Sequence, residues 1–162
     1  MARVYVVSAG GITVAGATTL VFINPGTTAG IELRKVWVEQ SATATLAQQR
    51  LQFVTQVSTF PTLTSKTPTK VRQSDAASVI TGGTAGAAGT SGVNASAEGA
   101  GAKTVIREHA FNNVYGFLWQ PGADDERIVL PPGGSSGFGL YFPTVPGTLT
   151  NWAFGVEFAE LA

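Results

Sequence analysis

The spacing in this chain that comes nearest to a catalytic motif is Gly133-Gly134-Ser135-Ser136-Gly137, which matches the Gly-x-Ser-x-Gly turn on which serine hydrolases expose a nucleophile. A hydrolase also needs a base, and His109 is the single histidine, with Glu108 beside it as a partner carboxylate. The context argues against both roles. The nucleophile turn joins a strand to a helix, whereas Pro131-Pro132-Gly133-Gly134 leads into another strand pattern, and His109 precedes Ser135 instead of following an acid downstream of it. With no second histidine and no cysteine, His109 reads as a hydrogen-bonding residue at a strand end.

The other candidates are weaker. Asp124-Asp125-Glu126 is the one acidic cluster, and hard cations favour several oxygen ligands, but the spaced ligands and distal Glu of a calcium loop are missing and Arg127 stands near to offset the charge. Gly99-Ala100-Gly101-Ala102-Lys103-Thr104 ends in Gly-x-Lys-Thr, yet its spacing is not that of a phosphate loop and a strand pattern follows where a helix must begin. Asn94-Ala95-Ser96 fits the glycosylation triplet, which has no use without a secretory leader. Trp37, Tyr115, Trp119, Tyr141 and Trp152 could line a sugar groove, since aromatic faces and polar edges suit saccharides; most of them lie within alternating runs, which favours core or subunit interface. No residue is assigned to catalysis, a cofactor or a metal, and the expectation is a protein that is not an enzyme.

The elements that carry these residues are nearly all β. Val, Thr, Phe and Ile gather in short runs separated by Gly, Pro, Asn and Ser, without an apolar repeat at helical spacing. Strands are predicted over 3–8, 17–23, 31–40, 50–58, 70–73, 103–108, 114–120, 126–130, 136–142 and 152–160, with a Pro/Thr loop over 60–69 and single helical turns possible over 42–49 and 74–78. In 136–142, Phe138, Leu140 and Phe142 share a face opposite Gly137, Gly139 and Tyr141. In 152–160, Trp152, Phe154, Val156 and Phe158 oppose Ala153, Gly155, Glu157 and Ala159. Both have the period of two of a half-buried sheet. Residues 31–40 do not: Leu33 and Trp37 fall on one side, Val36 and Val38 on the other, so the strand is either covered on both faces or carries a bulge near Lys35. The expected fold is one antiparallel β-sandwich or jelly-roll-like barrel over 1–162. Residues 82–102 collapse to Gly, Ala, Ser and Thr, and read as a long loop that is flexible or gains order on a partner.

Composition narrows the function class. The 162 residues contain ten Lys plus Arg and ten Asp plus Glu, so no global field favours nucleic acid or an anionic membrane. Charged residues make up 12% of the chain, about half of the ~25% of an ordinary domain. Such a surface favours association, and much of it is expected to be covered by other subunits. The absence of cysteine removes thiolate chemistry and disulfides and makes a reducing compartment the simpler expectation. Met1-Ala2-Arg3-Val4-Tyr5-Val6-Val7 lacks the pattern of a signal peptide, and no run approaches the ~20 apolar residues of a membrane span, so synthesis in the cytoplasm is expected.

In layout the chain resembles the small virion structural proteins of tailed bacteriophages, above all capsid decoration or cement proteins. The features are Ile31-Glu32-Leu33-Arg34-Lys35-Val36-Trp37-Val38 leading to Gln49-Arg50-Leu51-Gln52-Phe53-Val54, the Gly/Ala-rich middle, Val114-Tyr115-Gly116-Phe117-Leu118-Trp119-Gln120-Pro121 followed by Glu126-Arg127-Ile128-Val129-Leu130-Pro131, and the closing Gly155-Val156-Glu157-Phe158-Ala159-Glu160-Leu161. The resemblance runs over most of the chain and carries no motif that assigns a contact residue. It implies a protein that docks, commonly as a homotrimer, on a pre-formed lattice of major capsid protein, is found in the virion, and binds neither nucleic acid nor membrane. Neck, tail and fibre-base proteins share such scaffolds, and a carbohydrate-binding sandwich is the alternative of a different class.

Overall fold

The computed structural model describes residues 3–42 and 45–161. Its strands are β1 (Arg3–Ile12), β2 (Thr18–Asn24), β3 (Gly30–Gln40), β4 (Gln48–Val57), β5 (Thr62–Ser65), β6 (Thr69–Lys70), β7 (Thr81–Gly82), β8 (Thr90–Ala97), β9 (Lys103–Asn112), β10 (Phe117–Trp119), β11 (Val129–Leu130), β12 (Ser136–Phe142) and β13 (Trp152–Leu161), with one 3-10 turn at Asp124–Glu126. They form two sheets packed as a sandwich. The first runs β10-β3-β13-β1-β6, with β11 also on β3; the second runs β5-β8-β2-β12-β4-β9, with β7 beside β8. All pairs are antiparallel except β7 with β8.

The alternating strands supply the core as their pattern requires. Phe138, Leu140 and Phe142 from β12 meet Trp152, Phe154, Val156 and Phe158 from β13 in one cluster, each 1% exposed or less. Edge-to-face ring contacts tie the layers, Phe142 to Trp152 at 5.1 Å and Phe53 to Trp119 at 5.4 Å between ring centres, while Phe53 meets Phe138 of its own sheet at 5.7 Å. The irregular pattern of β3 comes from a bulge. Lys35 pairs with Glu157 and Leu33 with Phe158, so Arg34 is an extra residue. The bulge lets Leu33 and Val36, three residues apart, both enter the core, and it leaves Trp37 on the outer face.

The segment 82–102 departs from its expectation. It contains β8, which pairs with β2 on one side and with β5 and β7 on the other. Small side chains make this possible. A Cβ on Gly92 would lie 2.7 Å from the Leu63 side chain and 2.8 Å from the Thr64 carbonyl. Ser91 is buried and its hydroxyl donates to the Lys66 carbonyl at 2.6 Å, while Val93 enters the core. Large anchors come from neighbouring segments: Phe22 and Phe60 pack at 5.6 Å on the outer face of the second sheet, pressed against Gly86 and Gly137.

Smaller corrections follow the same logic of local hydrogen bonds. The Pro/Thr loop contains β5, held by buried Leu63. The strand predicted over 114–120 shrinks to β10 because the Tyr115 and Gly116 amides donate to the Asn112 carbonyl and Gly116 takes a φ of 72°. The one predicted over 126–130 becomes the 3-10 turn and β11, the one over 70–73 reduces to β6, and the one over 103–108 extends to Asn112. No helical turn forms over 74–78. There the Tyr5 hydroxyl donates to the Ala76 carbonyl and the Glu160 carboxylate accepts from the Ser78 hydroxyl and the Val79 amide. Of the turn predicted over 42–49, positions 43 and 44 lie outside the described residues; 45–47 are not helical and β4 begins at Gln48.

Candidate functional site

The two halves of the hydrolase constellation are far apart. His109 pairs with Leu51 of β4, whereas Ser136, at the start of β12, pairs with Val57 of the same strand. Six residues of extended β4 correspond to about 20 Å. Ser135 lies in an exposed turn before β12, at the end of β4 remote from His109. The His109 imidazole packs against Phe53 at 5.2 Å and Phe117 at 4.9 Å. Its Nε2 is buried and has no hydrogen-bond partner among the described residues. Burial, with a smaller contribution from the Arg107 charge, holds the imidazole below its ordinary pKa and so favours its neutral form. Glu108 projects to the opposite face of β9, where it pairs with Arg50, and the Arg50 hydrogen bond is the main cause of its lowered pKa. His109 therefore acts as part of an aromatic cluster.

The remaining motifs are also built into structure. The Glu126 carboxylate accepts from the Gly122 amide at 2.7 Å, and Arg127 bridges Asp124 to Glu32, whose carboxylate also meets Arg34 at 2.8 Å. Among the described residues no group of three His, Cys, Asp or Glu is placed to hold a metal ion. Gly99 and Gly101 press on the backbone at Phe60 and at Val57 and Thr59, where a Cβ would come within 2.4 and 2.1 Å of a carbonyl oxygen. Lys103 lies 3.2 Å from Glu98 and 5.0 Å from the centre of the Tyr141 ring, while the Glu98 carboxylate accepts from the Thr19 amide and hydroxyl. This cluster clamps the segment before β9 onto β2 and leaves no cradle for phosphate. Asn94 sits within β8 at a φ of 49°, and the Ser96 hydroxyl donates to the Thr62 carbonyl at 3.4 Å.

The five aromatics divide. Trp119 and Trp152 are buried, the latter donating its indole N–H to the Thr148 carbonyl at 2.9 Å, and Tyr141 lies under Lys103. Trp37 and Tyr115 come together instead, in a groove of about 450 Å³ on the outer face of the first sheet, with Lys35, Glu39, Leu118 and Glu157 around them. A second feature overlaps it at Tyr115 and Leu118. Six of the twelve exposed large apolar side chains among the described residues, Val105, Ile106, Val114, Tyr115, Leu118 and Val129, belong to the segment from β9 to β11.

That segment forms the flank where both sheets end. Among the described residues β9 pairs with β4 alone, and β10 and β11 pair with β3 alone. Arg107 bridges the two edges, its guanidinium 5.7 Å from the Trp119 ring centre and its Nη2 donating to the Glu126 carbonyl. Ile106 and Val129 face a shared hollow of about 420 Å³. Ile106 is also the extra residue of a bulge, since Phe53 pairs with Arg107 and Val54 with Val105. A bulge on an open edge limits indiscriminate strand pairing while leaving side chains displayed. No protein-family model, no curated protein and no solved structure matches this chain.

Proposed function

We propose that this protein is a non-enzymatic structural subunit of a virion, which docks on the major capsid lattice through the β9 to β11 flank and stabilises the shell as a decoration or cement protein. The observation that carries this reading is the flank itself: Val105, Ile106, Val114 and Val129 are exposed on or between the strands of two sheet edges, and Tyr115 and Leu118 open into the adjoining groove. Surfaces of this kind mark protein contacts, and an open edge can accept a strand from a neighbour. Low charge across the chain supports the same reading, because few side chains must be desolvated when the flank is covered. Burial of Trp119 and Trp152 makes most of the aromatic content structural, which also suits a packed scaffold.

A stable contact needs on the order of 1,600 Å² of total buried surface, and a subunit that touches several capsomers gains strength by avidity. Self-association, with a homotrimer as the expected form, would present several flanks to the lattice at once. Co-sedimentation with expanded capsids that lack this protein tests the proposal. Saturation at a fixed stoichiometry and a raised shell melting temperature are expected; no binding to shells would overturn it.

A further inference from the structure

Independently of any shell, we infer that the groove around Trp37 is a binding site for neutral pyranose saccharides. Leu118, Trp37, Gly155 and Ser8 occupy one cross-strand row on the outer face, from β10 through β3 and β13 to β1. Gly155 has no side chain to raise the indole. A Cβ there would stand 2.2 to 2.7 Å from the Trp37 six-membered ring, so the ring lies over the β13 backbone. Trp37 remains half-buried, and Tyr115, 86% exposed, stands beside it. The platform is therefore held in place before any ligand arrives, which lowers the ordering cost of binding.

Three charged groups rim this platform. Lys35 and Glu39 flank Trp37 at two residues on either side and share its face, and Glu157 is the cross-strand partner of Lys35. Among the described residues none of the three side chains forms a hydrogen bond or ion pair, although Lys35 and Glu157 are half-buried. Half-buried charged groups left without partners around one hollow are suited to a ligand's polar groups. The carboxylates accept from hydroxyls, the ammonium donates to hydroxyl or ring oxygens, and the indole takes the C–H face of the sugar. A wholly apolar ligand would leave three charges facing it. Two carboxylates against one ammonium disfavour an acidic sugar, and Lys35 disfavours a quaternary ammonium ion.

Tryptophan emission and saturation-transfer NMR with maltotetraose, cellotetraose and N-acetylchitotetraose test the inference, with sialyllactose and tetramethylammonium as contrasting probes. At least one neutral oligosaccharide is expected to bind and shift the emission, and Trp37→Ala is expected to weaken it about tenfold or more. Glu157→Gln keeps the platform and should also weaken binding, so a folding defect in Trp37→Ala does not decide the outcome. Binding of none of the neutral probes, binding of a contrasting probe alone, or affinity unchanged in both variants would overturn the assignment. Shell binding does not enter this experiment, so a failure of either reading leaves the other standing.

Discussion

β13 and β9 are strands of ten residues each, and they occupy opposite extremes of the same sandwich. β13 is paired on both sides, by β1 and β3, and Trp152, Phe154, Val156 and Phe158 are fully buried. β9 is paired on one side, and its Val105 and Ile106 face solvent at 45% and 39% exposure. The apolar side chains of β13 have their partners inside the molecule. Those at the start of β9 contribute little to this core, and a surface that keeps them beside an open edge is suited to a partner outside it.

The sharpest way to break this contrast is to truncate the buried member. Phe154→Ala removes a fully buried ring from the centre of β13 and should cost about 3–5 kcal/mol, measured by urea denaturation. A loss below about 1 kcal/mol would mean that the layer between the sheets is not the principal core.

Gly155→Ala tests the other face of the same strand. Its new Cβ meets the Trp37 ring, so the indole must lift or the strands must shift, at a cost of about 1–3 kcal/mol and with a change in tryptophan emission. Unchanged emission would contradict the position of the indole over β13.

How far the sequence reveals these two strands differs in the same way as their environments. β12 and β13 are legible because every second residue is large and apolar; the bulge in β3 is legible only as one of two alternatives, since a strand covered on both faces gives the same pattern, and the pairing with β13 decides between them. β8 is not legible. Its place in the sheet depends on Gly92 and Ser91 fitting against Leu63, Thr64 and Lys66, contacts made between segments distant in sequence. The groove is only partly legible for a related reason: Trp37 is one of five aromatics weighed for a sugar groove but reads as core or subunit interface, and its outward position follows from the Arg34 bulge and the bare Gly155 across the strand pair. The flank needs the sheet order, which shows that β9 and β10 end their sheets.

A smaller effect is expected from His109, which shares the inner face of β9 with Arg107. Its pKa lies below the ordinary value of 6.5 in the folded protein, so the unfolded chain binds the proton more readily. Stability from this group is fully present above that value and falls as the pH drops through it toward the folded pKa. His109→Gln should flatten that fall, seen by comparing urea midpoints at about pH 5 and about pH 8. A slope identical to that of the unsubstituted protein would remove His109 as its source.

The least change in folding stability is expected on the flank itself. Ile106→Lys and Val129→Lys should each alter it by no more than about 0.5 kcal/mol, since both side chains are already exposed. A large loss in thermal unfolding would show that these residues belong to the core and not to a docking surface.

The most direct test of the docking role joins these variants to the particle. Light scattering gives the solution mass, and sedimentation with expanded capsids lacking this protein then compares the unsubstituted chain with Ile106→Lys/Val129→Lys. An oligomer that saturates the shells at a fixed stoichiometry, with binding lost in the folded double variant, is the expected result. A monomer that ignores the shells, or a double variant that binds them equally well, would contradict docking through the β9 to β11 flank.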